Sequence, residues 1–255
     1  MVYKYRIAFQ NMSGLDNLGN TCYMNSVVQM LRYVKPVVLN LVKVKPENDG
    51  INHFIDLLYQ GSTPQEFASC LKDFGFDPIY QHDAHEFLLT MLDKLYECID
   101  EKNPFEGKST TVLRCKNGHT STRVDPFVCL SINGGIEDGI PGMVEPEEVQ
   151  CKCEQCDEKT MTKTIDLDPN DVVCVHFKRF NMDRKLRYKV PILQKWNGYE
   201  LVGICNHVGG LHGGHYTATV RTDNGWLHIN DDHVKKMDGL PQESNVPYIM
   251  VYVRH

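Results

Sequence analysis

The apolar residues of this chain change their period near Thr110, and that change demands two kinds of secondary structure in one fold. Before it, Val27, Met30, Leu31 and Val34 recur at helical spacing, and Phe87, Leu88, Met91, Leu92, Leu95 and Ile99 do so again. Two amphipathic helices with core-facing stripes are expected there. Between them, Pro46 to Asn52 reads as a polar turn and His53 to Tyr59 as a short helix, while Thr63, Pro64 and Glu66 give another helix start. After Thr110 the pattern alternates, and Asn133, Gly134, Gly135, Gly139, Pro141 and Gly142 mark a loop or insertion between strand-like runs. Asp171 to Phe180, His215 to Thr222, Gly225 to Asn230 and Tyr248 to Arg254 read as strands rich in Val, Ile, Tyr and Thr. The expected fold class is α+β, with a mostly helical first part, a separate β lobe and a C-terminal sheet.

A chain of 255 residues can bury one substantial core, or one core carrying a smaller lobe. Its formal net charge of −6 repels phosphate backbones, so no nucleic acid is expected as partner. No apolar stretch approaches a bilayer span, and Met1 to Gln10 lacks the apolar run of a secretory signal. The expected location is intracellular, cytoplasmic and/or nuclear, with no membrane partner. In that setting ten cysteines point to catalytic, metal-binding or buried thiols rather than a disulfide scaffold. Cys70, Cys98, Cys129, Cys174 and Cys205 lie in apolar surroundings and read as small buried side chains.

Gly14 to Ser26 is a glycine-punctuated loop feeding the first long helix. With Asn20 or Thr21 as N-cap, Cys22 falls in the first turn, where unpaired amides and the helix dipole favour a thiolate. Acyl transfer by such a thiol also requires a base and donors for the developing oxyanion. Asn17 is a candidate for the donor. His215 is a candidate for the base, since it stands at the mouth of a strand directly after Gly213 and Gly214. The turn Asp223-Asn224-Gly225 then brings the chain back toward His215. On this spacing Asn230 lies on the His215 face but displaced along it, Asp232 lies nearer, and Asp231 faces away unless the strand bends. All three stay open as partners of the imidazole.

These segments resemble the ubiquitin-specific proteases. Gly14 to Gln29 looks like that family's Cys box, Tyr80 to Phe87 like its QQDAxEF segment, and Val173 to Phe180 like its strand ending in LKRF. His207 to Ala218 and Trp226 to Val234 look like its His box. The motifs come in the family's order and span nearly the whole chain. The resemblance implies a papain-like single catalytic domain over 1–255, with a helical thumb at about 12–108, β fingers at 109–165 and a β-sheet palm at 166–255. It implies Cys22 as nucleophile, His215 as base, Asn17 as oxyanion donor, Asn230 as third triad member and Asp231 as supporting acid. It further implies thiol-dependent release of ubiquitin by a monomer that needs no cofactor for catalysis. Ubiquitin and its conjugates are then the partners. Asp83 and Glu86 read from the residues as an N-cap and its reciprocal partner, and from the resemblance as acids that hold the basic ubiquitin tail. Tyr216 would line the passage for a glycine-glycine terminus. His82 stands where the family has a second glutamine.

Cys153 and Cys156 form a CxxC pair, and Cys115 with His119 supplies the other half of a tetrahedral Cys3His set, which points to structural zinc. Relatives often carry two CxxC pairs, but here Asn117-Gly118 occupies the place of the second cysteine. Cys151 is a rival fourth ligand.

Overall fold

The computed structural model describes residues 13–42, 44–59, 62–210 and 213–254. The stretch Met1 to Gln10, and Leu211 with His212 inside the expected His box, lie outside them. The helical part holds α1 (Cys22–Leu31), α2 (Lys35–Leu41), α3 (Asp49–Leu58), α4 (Pro64–Ala68) and α5 (Ala84–Cys98). Helix α3 begins inside the segment expected to turn, because the Asn48 side chain accepts the Ile51 amide and caps it there. Thr63 and Glu66 complete a reciprocal capping box on α4.

Next come β1 (Gly107–Cys115), β2 (Thr120–Phe127), β3 (Cys129–Ile132), α6 (Ile136–Val144), β4 (Glu147–Gln150) and β5 (Thr160–Asp168). Strands β2, β1, β5 and β4 pair in that order into an antiparallel sheet, and every residue of β2 is at least partly exposed. Such a sheet has little core of its own. Helix α6 replaces the expected loop. Ile136, Ile140 and Met143 put an apolar face on the core, and the Gly139 position has no room for a Cβ beside Ile132 and the Asn133 carbonyl. Gly139 therefore serves packing rather than a turn, while Pro141 and Gly142 lie on the exposed side of the helix.

The remaining strands are β6 (Val172–Phe177), β7 (Val190–Pro191), β8 (Lys195–Trp196), β9 (Tyr199–Gly209), β10 (Gly214–Thr222), β11 (Gly225–Asn230), β12 (His233–Met237), β13 (Glu243–Ser244) and β14 (Pro247–Arg254). The main sheet runs β12-β11-β10-β9-β14-β6-β3, with β8 on β9. Its pairs are antiparallel except β3 with β6. Among the described residues, no helix is long and apolar enough to cross a membrane.

Helix α1 is buried on all sides rather than amphipathic. Its polar residues find partners inside: Asn25 donates to the Leu15 and Asp16 carbonyls, and Gln29 to the Ser13 carbonyl. The helix is wedged between α5 and the main sheet, which is how a thiol at its N-terminus meets strand β10. Of the five cysteines expected to be buried, Cys174 and Cys205 are, Cys70 and Cys129 are half-buried, and Cys98 is exposed because it ends α5 on its solvent side.

The close approach of α1 to the sheet depends on Gly203, where a Cβ would stand 2.5 Å from the Met30 Cγ. Gly203→Ala should destabilise the fold by about 1–3 kcal/mol through overpacking. Thermal unfolding should show a Tm lower by about 2–4 °C for each kcal/mol.

Candidate active site

Thr21 is the N-cap residue of α1, but its own side chain does not cap; the Asn17 Oδ1 accepts the Thr21 amide at 3.1 Å and the Gly19 amide at 3.1 Å. This fixes Cys22 in the first helical turn. The backbone amides of Tyr216, Tyr23 and Cys22 itself act on its sulfur in favour of the thiolate. Tyr216 directly follows His215, so the chain brings imidazole and thiol to the same strand mouth. Burial nevertheless pushes the thiol above its ordinary range, and the Asp231 charge pushes the same way. The amide donors do not overcome these, so the resting group is a thiol rather than the thiolate expected from the helix terminus.

His215 Nε2 lies 2.5 Å from the Asn230 Oδ1. An amide oxygen only accepts, so Nε2 carries the proton and Nδ1 keeps its lone pair. Thr222 pairs with Gly225 and Ala218 with Ile229, a register that carries Asn230 past the end of the ladder, whence its side chain reaches back to the imidazole. Asp232 does not make this contact; its Oδ1 pairs with His233 Nδ1 at 2.5 Å. Asp231 does turn inward. The two-residue turn between Asn230 and His233 holds Asp231 at φ 51°, and this left-handed bend swings its carboxylate onto the His215 side. The Asp231 Oδ2 stands 3.7 Å from His215 Nε2 and accepts from Asn17 Nδ2 at 3.0 Å, while Oδ1 accepts from Asn25 Nδ2 at 2.9 Å. Asn25 was not singled out from the sequence. A buried amide three residues beyond the nucleophile, on a helix with no room for an idle polar group, was the signal that marked it.

A groove of about 520 Å³ leads to this mouth, lined by Asp83, Tyr216, Tyr248, His207, Phe180 and Gln81. Asp83 caps α5, its Oδ1 accepting from the His85 and Glu86 amides at 2.6 and 3.2 Å. Its Oδ2, expected to be free, accepts from the Tyr248 hydroxyl at 2.5 Å. Glu86 is exposed in the first turn and, among the described residues, makes no reciprocal bond to the Asp83 amide. Tyr216 is buried against His207, with ring centroids 4.7 Å apart. His82 works as an anchor: its Nε2 meets the Asp77 carbonyl at 2.8 Å and its ring packs edge-on against Tyr23. Gln81 pairs with both backbone groups of Gly214, donating at 3.1 Å and accepting at 3.2 Å.

At the far end of the antiparallel four-stranded sheet, Cys115, His119, Cys153 and Cys156 gather with all ligand atoms within 4.8 Å of one another. The Cys115 sulfur is 3.9 Å from that of Cys156 and 3.5 Å from His119 Nδ1, which is 3.7 Å from the Cys153 sulfur. Three sulfurs and one imidazole nitrogen gathered this closely are the donor set of a structural zinc. Gly118, at φ 87°, makes the tight turn between Cys115 and His119. Cys151 stays outside the set, its sulfur facing the Lys152 carbonyl.

Residues 13–252 match the family described as UCH, ubiquitin carboxyl-terminal hydrolase, and the chain belongs to that family. Similar proteins include ubiquitin carboxyl-terminal hydrolase 23 of Arabidopsis thaliana, 26% identical over 98% of this chain and 36% of its own length. Ubiquitin carboxyl-terminal hydrolase 7 of Drosophila melanogaster is 26% identical over 94% of this chain and 27% of its own. The chain thus spans roughly a third of the length of these curated relatives. Among solved structures, the SAGA DUB module Ubp8/Sgf11/Sus1/Sgf73 bound to monoubiquitin matches with a TM-score of 0.80 at 20% identity, covering 99% of this chain and 70% of that one. The same module bound to ubiquitin aldehyde matches with a TM-score of 0.76 at 21% identity, over the same shares. The expected papain-like α+β fold is therefore the observed one.

Alkylation of Cys22 by iodoacetamide, followed by peptide mapping, should rise with pH along a curve displaced above that of an ordinary thiol. A rate already flat from about pH 6 would mean a preformed thiolate instead.

Proposed function

We propose that this chain is a deubiquitinase that hydrolyses the isopeptide or peptide bond after the C-terminal glycine of ubiquitin. The observation that carries this reading is that Cys22 lies against the Tyr216 backbone, next in sequence to the His215 that pairs with Asn230, at the end of a groove lined by Asp83. Family membership and the ubiquitin-bound state of the matched structures support the same substrate. The Cys22 sulfur attacks the glycine carbonyl as His215 Nδ1 accepts its proton. Asn230 holds the ring so that Nδ1 faces the sulfur, and the nearby Asp231 carboxylate favours the imidazolium that forms. The Asn17 amide gives one hydrogen to Asp231 and has a second for the oxyanion. His215 then protonates the leaving amine, and water attacks the thioester with His215 as base. In the groove, Asp83 and Glu86 complement the basic tail, and buried Tyr216 and Tyr248 leave room for little beyond glycine.

A ubiquitin carrying a C-terminal electrophile should form a covalent adduct with the chain and none with Cys22→Ala. Absence of the wild-type adduct under reducing conditions would reject the reading, and equal labelling by other modifier probes would move the substrate. In a ubiquitin-release assay, Asn230→Ala should lower kcat by at least about tenfold with little change in KM.

We further propose a structural zinc ion held by Cys115, His119, Cys153 and Cys156, which would give the exposed sheet the core it lacks. Asn117 Nδ2 donates to the Cys156 sulfur at 3.4 Å and the Gln155 amide to Cys153 at 3.4 Å, contacts that suit bound thiolates. Elemental analysis should find about one zinc per chain. Cys153→Ser should lose it and lower the Tm, whereas Cys151→Ser should retain it.

A further inference from the structure

A second cysteine–histidine cluster sits in the main sheet, and the proposed hydrolysis does not use it. Parallel strands β3 and β6 place Cys129 directly opposite Cys174, and the two free sulfurs lie 2.9 Å apart. Adjacent strands stand about 4.8 Å apart, within the Cα separation that a disulfide spans, so a bond of about 2.05 Å needs under about 1 Å of sulfur movement. Cys174 is buried. Cys129 is half-buried, and with His85 and Ser131 it lines a cavity of about 710 Å³ beside α5. The His85 ring stacks on His176 at 3.9 Å, and His176 Nδ1 meets Ser131 Oγ at 2.9 Å. The cluster is thus rigid, with one sulfur facing the cavity and the other behind it.

Burial pushes the Cys129 thiol up, but the Cys174 thiol, the His85 imidazole and the His176 backbone pull harder and bring it down to about 6. Cys174, buried beside a sulfur that ionises first, is held well above the ordinary thiol range. One partner is therefore the attacking thiolate and the other retains its proton.

We propose that Cys129 is a hydroperoxide-modification site and that Cys174 is its resolving partner. The Cys129 thiolate attacks one oxygen of hydrogen peroxide; the O–O bond breaks and hydroxide departs, leaving a sulfenic acid. The Cys174 sulfur then attacks that sulfur, the S–S bond forms, and the S–O bond breaks. The hydroxyl leaves as water with the Cys174 proton. Two electrons pass from the sulfurs to the peroxide, and a dithiol reductant reverses the change. The bond staples edge strand β3 to β6, which runs on into Lys178, Arg179 and Phe180 of the groove wall. No group of the hydrolytic site takes part, so this site and the protease reading are tested separately.

The test uses the Cys22→Ala chain grown with zinc, so that neither the nucleophile nor bare finger thiols consume peroxide. After treatment with hydrogen peroxide, free thiols are alkylated and the unreduced digest is mapped by mass spectrometry. The expected result is equal loss of alkylation at Cys129 and Cys174, with a peptide joining them that is short of two hydrogens and is reversed by dithiothreitol. Cys70 and Cys98 should remain alkylated. A second variant, Cys174→Ala in the same background, should leave Cys129 as a sulfenic acid that dimedone traps. Alkylation at Cys129 and Cys174 as complete as at Cys98, or loss at either one without the joined peptide, would overturn the proposal. The first mapping decides even if the second variant does not fold.

Discussion

The arrangement of the active site rests on one carboxylate held in a left-handed turn. Asp231 ties together three pieces that are far apart in sequence: the loop before the nucleophile, through Asn17 and the Leu15 amide; helix α1, through Asn25; and the hairpin bearing His215. The backbone is part of the clamp, since the Asp231 carbonyl accepts the Leu15 amide at 2.9 Å. Gly14 is needed beside it, because a Cβ there would stand 2.4 Å from the Asp231 and Asp232 backbone. A residue at φ 51° without being glycine costs free energy of order 1 kcal/mol or more, which the charge-assisted hydrogen bonds to two amides offset. Without this turn the carboxylate would point away from the imidazole and the loop before Cys22 would lose its anchor.

The same carboxylate sets a limit on the nucleophile. Burial disfavours the Cys22 thiolate most, and the Asp231 charge acts the same way. A substrate carbonyl seated at the mouth changes that balance, because the negative charge then moves from sulfur to an oxygen facing amide donors.

What could be read in the sequence follows from how local each feature is. Cys22 after a glycine-rich loop and His215 after paired glycines are local signals, and Asp223-Asn224-Gly225 marked the hairpin while leaving its register between two loops, of which the structure has Asp223-Asn224. The contact between Asn230 and His215 was harder, since a side chain reaching diagonally past the end of a ladder is not described by strand spacing. Asp231 depended on a bend within Asn230-Asp231-Asp232, turn-forming residues whose left-handed position strand spacing does not assign. Strand β9 went unread because Gly203, Asn206 and His207 interrupt its apolar run, yet it lies at the centre of the sheet, where Gly203 admits Met30 and Asn206 bonds Thr219. Helix α6 was hidden by the reverse error, in which Gly139, a glycine that serves packing, stood among others that look like turn residues. Both failures arise where tertiary contacts, rather than propensity, select the residue.

The groove is also instructive about how a polar tail enters a site that already satisfies its own polar groups. Asp83 is paired with Tyr248, the Gly214 backbone with Gln81, and His207 with the Lys185 ammonium at 2.7 Å. Burial and that neighbouring ammonium bring His207 down to about 4, so it is neutral and accepts the lysine proton. An incoming extended chain exchanges these internal bonds for its own, and such exchanges are close to neutral, with net values of about 0.5–1.5 kcal/mol per bond. Affinity from the groove alone is therefore small. It has to come from burying apolar surface against Phe180, Tyr216 and Tyr248. A groove built in this way offers an extended chain little net hydrogen-bond energy, so the proposed substrate would draw most of its binding free energy from surfaces outside it.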